Sequence, residues 1–144
     1  MSDQGKEDRP VDTGAVVLHI DGPYRDTLVL LEEARDLAVS GRIKSWNGSQ
    51  SADRLRVSCE SMRITARLTQ CMAWLLVQRA VREGELSREE ALRTEYRLDG
   101  QEVCDDGSAE HHGFLPAELR DLMRRSRTLY SRISRLDQEL DVVH

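Results

Sequence analysis

One stretch of the sequence gathers side chains that could bind a metal ion. Its candidate ligands are Cys104, Asp105, Asp106, Glu110, His111 and His112. Their spacing matches no structural zinc pattern, and adjacent histidines on a loop rarely converge on one ion unless a scaffold holds them. We therefore interpret this stretch as a solvated acidic loop, and we predict no metal and no other cofactor.

The sequence also lacks the common arrangements of catalytic groups. It contains no GxSxG, no HExxH and no glycine-rich phosphate loop. No pair of carboxylates lies on the apolar side of a predicted helix, and His19 stands alone beside a short apolar run. We predict that the protein is not an enzyme.

Arginines near the C-terminus are stronger candidates for binding chemistry. On a helical wheel they share the side opposite a row of leucines, and they are Arg120, Arg124, Arg125, Arg127, Arg132 and Arg135. Guanidinium groups bind carboxylates and phosphates through two hydrogen bonds. The net charge of −5 argues against general nucleic-acid binding. The alternative is an ordinary solvated face balanced by acidic residues of the first helix.

The composition predicts helices as the elements that position these groups. Aromatic residues make up only 4% of the 144 residues, and the chain has the length of one domain. We expect an all-α fold, an antiparallel three-helix bundle over residues 23–140, preceded by a mostly disordered arm, residues 1–22. Periodicity and turn residues place the helices at about 24–40, 53–83 and 116–140.

The connection between the second and third helices is predicted to be long, covering residues 84–114. Within it, Ser87 and Glu90 have the spacing of a capping box, which indicates a short helix. In the third helix, apolar residues from Leu115 to Leu140 recur at alternating steps of four and three. That pattern is typical of a coiled-coil seam, and it predicts an up-down-up bundle.

The second helix carries more apolar surface than one neighbour can cover. Arg56, Glu60, Arg63, Arg67, Gln70 and Gln78 form the predicted polar strip. The residues predicted for the core or for a dimer contact are Met62, Leu68, Met72, Trp74, Leu75 and Leu76. No run reaches the roughly 20 apolar residues of a membrane span. A symmetric homodimer would bury the surplus.

One segment, CESMRITARLTQCMAWLLVQRAVREGEL at residues 59–86, resembles the signature of the RcdA family, regulators of CtrA degradation in alphaproteobacteria. The agreement includes polar positions such as Arg63, Arg67, Gln70 and Trp74. A weaker likeness covers most of residues 24–138. The resemblance implies a dimeric three-helix bundle and a non-enzymatic adaptor that works with the ClpXP protease and a CpdR-type response regulator, helping to deliver cell-cycle regulators.

An odd count of three cysteines without a CxxC pair, and a start without an apolar h-region, predict a cytoplasmic protein. The resemblance adds recruitment to a cell pole. An adaptor needs surfaces for protein substrates and for the protease. The candidate partner-binding residues are Arg63, Arg67, Gln70, Arg120, Arg124, Arg127 and Arg132. Two other hypotheses remain open at this point. One is nucleic-acid binding through the arginine side of the third helix, and the other is a dimeric scaffold unrelated to proteolysis.

Overall fold

The computed structural model describes residues 19–40, 51–100 and 115–142, and all regular structure within them is helical. Three long helices form the bundle, and two short helical segments lie in the connection before the last of them. They are α1 (Asp21–Val39), α2 (Ser51–Arg82), α3 (Arg88–Ala91), a 3-10 turn (Thr94–Tyr96) and α4 (Ala117–Val142). The predictions of an all-α fold and of a long second helix are confirmed.

Local sequence explains where the helices begin and end. Pro23 lies in the first turn of α1, where its missing N–H costs nothing, and the first helical bond runs from Tyr24 N to Ile20 O at 2.9 Å. α2 ends at Arg82, and the chain turns away at Gly84, whose φ of 80° suits glycine. Gly84 N bonds to Val81 O at 3.1 Å, and Glu85 N bonds to Ala80 O at 2.8 Å, which together form a Schellman motif.

The capping box predicted in the connection is present. The Ser87 hydroxyl accepts the Glu90 N–H at 3.0 Å, and the Ser87 N–H donates to Glu90 Oε1 at 2.9 Å. Because each side chain accepts the backbone N–H of the other residue, the start of the helix is stabilised, and α3 begins at the next residue, Arg88. The calls on residues 1–18, on Gly41 and on the acidic stretch 101–114 lie outside the described residues.

The core lies along the centre of the bundle, where the three long helices meet. Its fully or almost fully buried members include Leu30 and Leu37 of α1, Ile64, Leu68, Cys71 and Leu75 of α2, and Leu119, Met123, Tyr130 and Ile133 of α4. The coiled-coil seam predicted for the last helix therefore faces the core, with Leu136 and Leu140 partly buried at its end.

α1 runs antiparallel to both of its long neighbours. Arg82, at the end of α2, lies 3.2 Å from Asp21 at the start of α1. Along α4, Arg125 pairs with Glu33, whereas the later Arg132 lies nearest the earlier Asp26. Both series of contacts reverse the chain direction, as predicted for the first helix pair.

α4 runs parallel to α2, which corrects the predicted up-down-up order. Arg67 of α2 reaches Met123 near the start of α4, whereas Trp74, farther along α2, reaches Asp137 near the end of α4. The connection makes this possible, because Arg97 contacts Asp137 and the following Asp99 contacts the earlier Tyr130. Residues 97–99 of the connection thus already run back along the bundle, against the direction of α4.

The core assignment predicts that replacing a buried leucine by alanine lowers the free energy of unfolding far more than replacing an exposed one, although both lie within helices. Leu75→Ala should lower the free energy of unfolding by about 2–5 kcal/mol, because Leu75 is fully buried and its loss leaves a cavity. Leu28→Ala is the control, since Leu28 is 41% exposed. Urea unfolding followed by circular dichroism measures both variants at one protein concentration. Equal losses would contradict the assignment.

Candidate interaction surfaces

Arg67 is fully buried, which corrects its predicted place on a partner-binding surface. Its guanidinium donates to the Met123 carbonyl at 3.1 Å and to the Ser126 hydroxyl at 3.2 Å, both on α4. Ser126 interrupts the apolar seam of α4, and its small side chain leaves room for the guanidinium. Burial of an arginine is tolerated when its donors find such partners. Arg67 therefore links α2 to α4.

Two other polar residues of the predicted strip are also inside the bundle. Glu60 and Gln78 are 2% and 7% exposed. Arg63, half-buried beside Glu60, donates to one of its carboxylate oxygens. The strip was expected in solvent because its residues are polar and because apolar residues occupy the rest of the helix surface. In the structure α4 packs on that part of α2, so these polar groups lie in the interior.

A charged cluster fixes the C-terminal end of α4. Trp74 Nε1 donates to Asp137 Oδ1 at 2.8 Å, and Arg97 Nε donates to the same oxygen at 2.9 Å. Arg97 also donates to the Asp137 carbonyl at 2.9 Å and to Asp141 at 3.0 Å. The hydrogen bonds that Arg97 donates to Asp137 and Asp141 raise the pKa of Arg97, and the bond that Asp141 accepts lowers the pKa of Asp141. The cluster joins α2, the connection and α4.

The predicted site residue Gln70 takes part in the same attachment. Its Oε1 accepts the Asp99 N–H at 3.1 Å, while the Asp99 carbonyl accepts the Tyr130 hydroxyl at 2.8 Å. Gln70 and Tyr130 therefore hold the returning chain against both helices. Sequence reasoning missed Arg97, Asp137 and Tyr130, since their roles depend on contacts across 31 to 63 residues of chain.

Two neighbouring arginines of α4, Arg124 and Arg125, are matched by carboxylates. Arg125 binds Glu33 of α1 through two bonds of 2.7 and 2.8 Å and lies 3.1 Å from Asp121. The hydrogen bonds between Arg125 and Glu33 lower the pKa of Glu33 and raise the pKa of Arg125. Arg124 pairs with Asp121. The alternative of a balanced solvated face thus gains direct support, and the nucleic-acid hypothesis loses it.

The other predicted arginines occupy less uniform positions. Arg120 donates to the Leu115 carbonyl at 3.3 Å, Arg127 is half-buried, and Arg132 is exposed at 3.7 Å from Asp26. These residues share one side of α4, but the structure does not gather them into a pocket. Their role in partner binding stays a prediction, together with that of Arg63 and Gln70.

The clearest unpartnered surface lies on α2, on the side away from the core. Leu55, Met62 and Leu76 are 65%, 71% and 46% exposed. Of the six residues predicted for core or dimer contact, Leu68, Trp74 and Leu75 are core, Met72 is half-buried, and only Met62 and Leu76 are exposed. Large exposed apolar groups on one face are typical of a protein interface.

Within the described ranges, no group of three or more histidine, cysteine or acidic residues is arranged to hold a metal ion. The helices described are also too short or too polar to cross a bilayer. The candidate ligands from Cys104 to His112 fall outside these ranges.

Comparison with known proteins identifies the fold. The family model described as a protein of unknown function, DUF1465, matches residues 15–143. The chain is similar to RcdA from Caulobacter crescentus CB15, whose crystal structure is known. The two sequences are 34% identical, the TM-score is 0.66, and the match covers 88% of this chain and 93% of the RcdA chain. The chain belongs to the RcdA family. No curated protein matches it.

The structure shows where the polar residues of the RcdA-family signature segment, residues 59–86, lie in this chain. Its most distinctive polar residues, Glu60, Arg67 and Gln78, are buried, and Trp74 and Gln70 hold α4 and the returning connection. In this RcdA-family chain, Arg67, Gln70 and Trp74 of the signature therefore join α2 to α4 and to the connection.

The link between α2 and α4 predicts a large effect at Arg67. Arg67→Ala should lower the free energy of unfolding by about 2–4 kcal/mol, because it leaves a cavity and removes two buried hydrogen bonds. The matched control is Arg124→Ala, since Arg124 is exposed and paired only at the surface; its loss should stay below about 1 kcal/mol. Urea denaturation compares them, and similar losses would exclude a linking role for Arg67.

The Glu33–Arg125 pair predicts a pH-dependent contribution to stability. Because the folded-state pKa of Glu33 is lowered, its contribution is complete above the unfolded-state pKa of about 4.3 and is lost as pH falls through the folded-state value. Both side chains are more than a third exposed, at 40% and 38%, so Glu33→Gln should cost less than about 1 kcal/mol at pH 7.

At pH 3 the difference between this variant and the wild type should be smaller than at pH 7, because the contribution of Glu33 declines as the pH falls below its unfolded-state pKa and through its lowered folded-state pKa. Urea titrations at the two pH values measure the difference, with the exposed neighbour Glu32→Gln as control. A loss of the same size at pH 3 would show that the ion pair is not its cause.

Proposed function

We propose that this protein is a non-enzymatic adaptor that brings protein substrates to the ClpXP protease. The observation that carries the proposal is the likeness to RcdA over 88% of the chain, supported by the family match over residues 15–143. The resemblance implies a CpdR-type response regulator as a second partner and cell-cycle regulators as substrates. It also implies a cytoplasmic protein recruited to a cell pole when it acts.

The distribution of polar groups fits this role. An adaptor works by holding two proteins near each other, so it needs separate outer surfaces and a rigid body between them. Buried contacts of Arg67 and Trp74 tie α2 to α4, and the Arg125–Glu33 pair ties α1 to α4. The outer faces of α1 and α4 are then available for partners.

We further propose that the adaptor is a homodimer. Leu55 and Met62 lie on one side of α2 and are largely exposed to water. Removing their apolar surface from water would be favourable in free energy. A dimer would cover this side and would present each partner surface twice, which raises the effective concentration of bound substrate.

The adaptor proposal predicts that removal of the protein slows degradation of specific ClpXP substrates in its host. Protein half-lives are measured by translation arrest and quantitative mass spectrometry in the wild type, a deletion strain and a complemented strain. A tagged copy in cells with a substrate-trapping ClpP should enrich ClpX and a response regulator. Unchanged half-lives for every ClpXP substrate would disprove the adaptor role.

Charge reversals on the outer helices then assign the surfaces. The variant Arg124→Glu with Arg132→Glu changes the exposed side of α4, and Arg35→Glu makes the same kind of change on the 70% exposed Arg35 of α1. Loss of one partner in only one variant locates its contact. Both variants should keep the helical circular dichroism of the wild type.

A further inference from the structure

The outward side of α4 carries arginines that point away from α1. Arg124, Thr128 and Arg135 are exposed and lie within about 40° of each other on a helical wheel, with the half-buried Ser131 beside them. We call these four residues the outer arginine face. It extends about 16 Å along the helix, and α4 has no carboxylate between Asp121 and Asp137.

The guanidinium groups of this face are only partly used within the protein. Arg124 pairs with Asp121, which also accepts a bond from Arg125, so one carboxylate serves two arginines. Arg135 makes no ion pair with any residue in the part of the chain that the structure describes. Because an arginine carries five N–H donors, both ends of the face keep donors for a ligand from outside.

The neighbouring side of α4 shows which ligand such arginines accept. Glu33 and Asp26 are seven residues apart on α1, and they lie beside Arg125 and Arg132, which are seven residues apart on α4. Arg125 holds the Glu33 carboxylate through two bonds of 2.7 and 2.8 Å. Within this molecule, a helix whose carboxylates recur at helical spacing is therefore already a ligand of α4.

We propose that the outer arginine face binds an acidic helical segment of a substrate protein that the adaptor delivers. The inference rests on the adaptor role of the proposed function and adds the chemistry of the partner and the surface that recognises it. Arg124 and Arg135 each bind a carboxylate of the partner. Two carboxylates eleven residues apart on a partner helix have the same separation as these two arginines.

Small side chains between the two arginines let a partner helix approach closely. Thr128 and Ser131 add little bulk to this side of α4, and their hydroxyl groups can donate to a carboxylate. The planar guanidinium binds a carboxylate through two bonds, which gives orientation as well as attraction. Since exposed ion pairs each contribute little, the contact is weak and reversible, which suits a protein that must release its substrate.

The charges around the face favour a short acidic segment over a nucleic acid. Exposed Glu118 and Glu139 lie towards the two ends of α4, so the basic surface is only a few helical turns long. A nucleic acid that extends beyond it meets the rest of a chain with a net charge of −5. A peptide helix of matching length stays within the arginine field, because salt screens charges beyond about 8 Å.

A peptide-binding assay with the full-length protein tests the inference. The probe is a fluorescent alanine-rich helical peptide with glutamates at steps of four, three and four, which share one face. Its isomer carries the same glutamates spread around the helix. Fluorescence anisotropy at low salt should show about fivefold or tighter binding of the first peptide, and added salt should weaken it.

Matched variants locate the contact. Arg124→Gln with Arg135→Gln should weaken binding of the first peptide about fivefold or more and abolish the preference over the isomer. Arg35→Gln with Arg93→Gln removes the same charge elsewhere and should keep that preference, since Arg35 pairs with neighbouring Asp36 much as Arg124 pairs with Asp121. All proteins should keep the helical circular dichroism of the wild type.

The opposite results are distinct. Equal binding of the two peptides, or an equal loss in both double variants, would show general charge attraction and overturn the inference. Tighter binding of a single-stranded oligonucleotide, lost with Arg124 and Arg135, would assign the face to nucleic acid and also overturn it. Unchanged half-lives in the deletion strain would refute the adaptor role and a delivered substrate as the partner, whereas longer half-lives without any peptide preference would refute this inference alone.

Discussion

The arrangement of this bundle depends on one buried contact, in which the Arg67 guanidinium of α2 binds the Met123 carbonyl and the Ser126 hydroxyl of α4. A buried guanidinium without acceptors is costly, and an alignment of the two helices that moved Met123 and Ser126 away would remove these two hydrogen bonds of Arg67. The contact therefore selects one rotation of α2 and one axial position for α4. Hydrophobic burial supplies the driving force, but apolar contacts alone tolerate more than one alignment.

The rotation chosen in this way decides which residues of α2 reach solvent. With Arg67 directed inward, Glu60, Trp74 and Gln78 also face the bundle. The opposite side then presents Leu55 and Met62 to solvent. One set of buried polar contacts thus produces both a rigid body and an apolar face suited to a second chain, and the two properties that an adaptor requires have a common structural origin.

Much of the secondary structure could be predicted from the sequence, because its signals are local. The capping box at Ser87 and Glu90 and the glycine end of α2 at Gly84 depend on residues within a few positions. The apolar repeat of α4 also identified its core side correctly. The predicted surface role of Arg67 was wrong, because a helical wheel shows which residues share a side but not which neighbour covers it. Ser126 within an apolar seam was the one sequence signal of a buried polar partner.

The sequence by itself determined the helices, the core side of α4 and, through the signature segment, membership of the RcdA family. Only the tertiary structure decided that α4 runs parallel to α2, that Asp137 binds Trp74 and Arg97, and that Arg125 of α4 is matched by Glu33 of α1. The physical reason is the range of the interactions. Helix formation is fixed by hydrogen bonds four residues apart, whereas the burial of a charged group depends on partners that the chain brings together from distant positions.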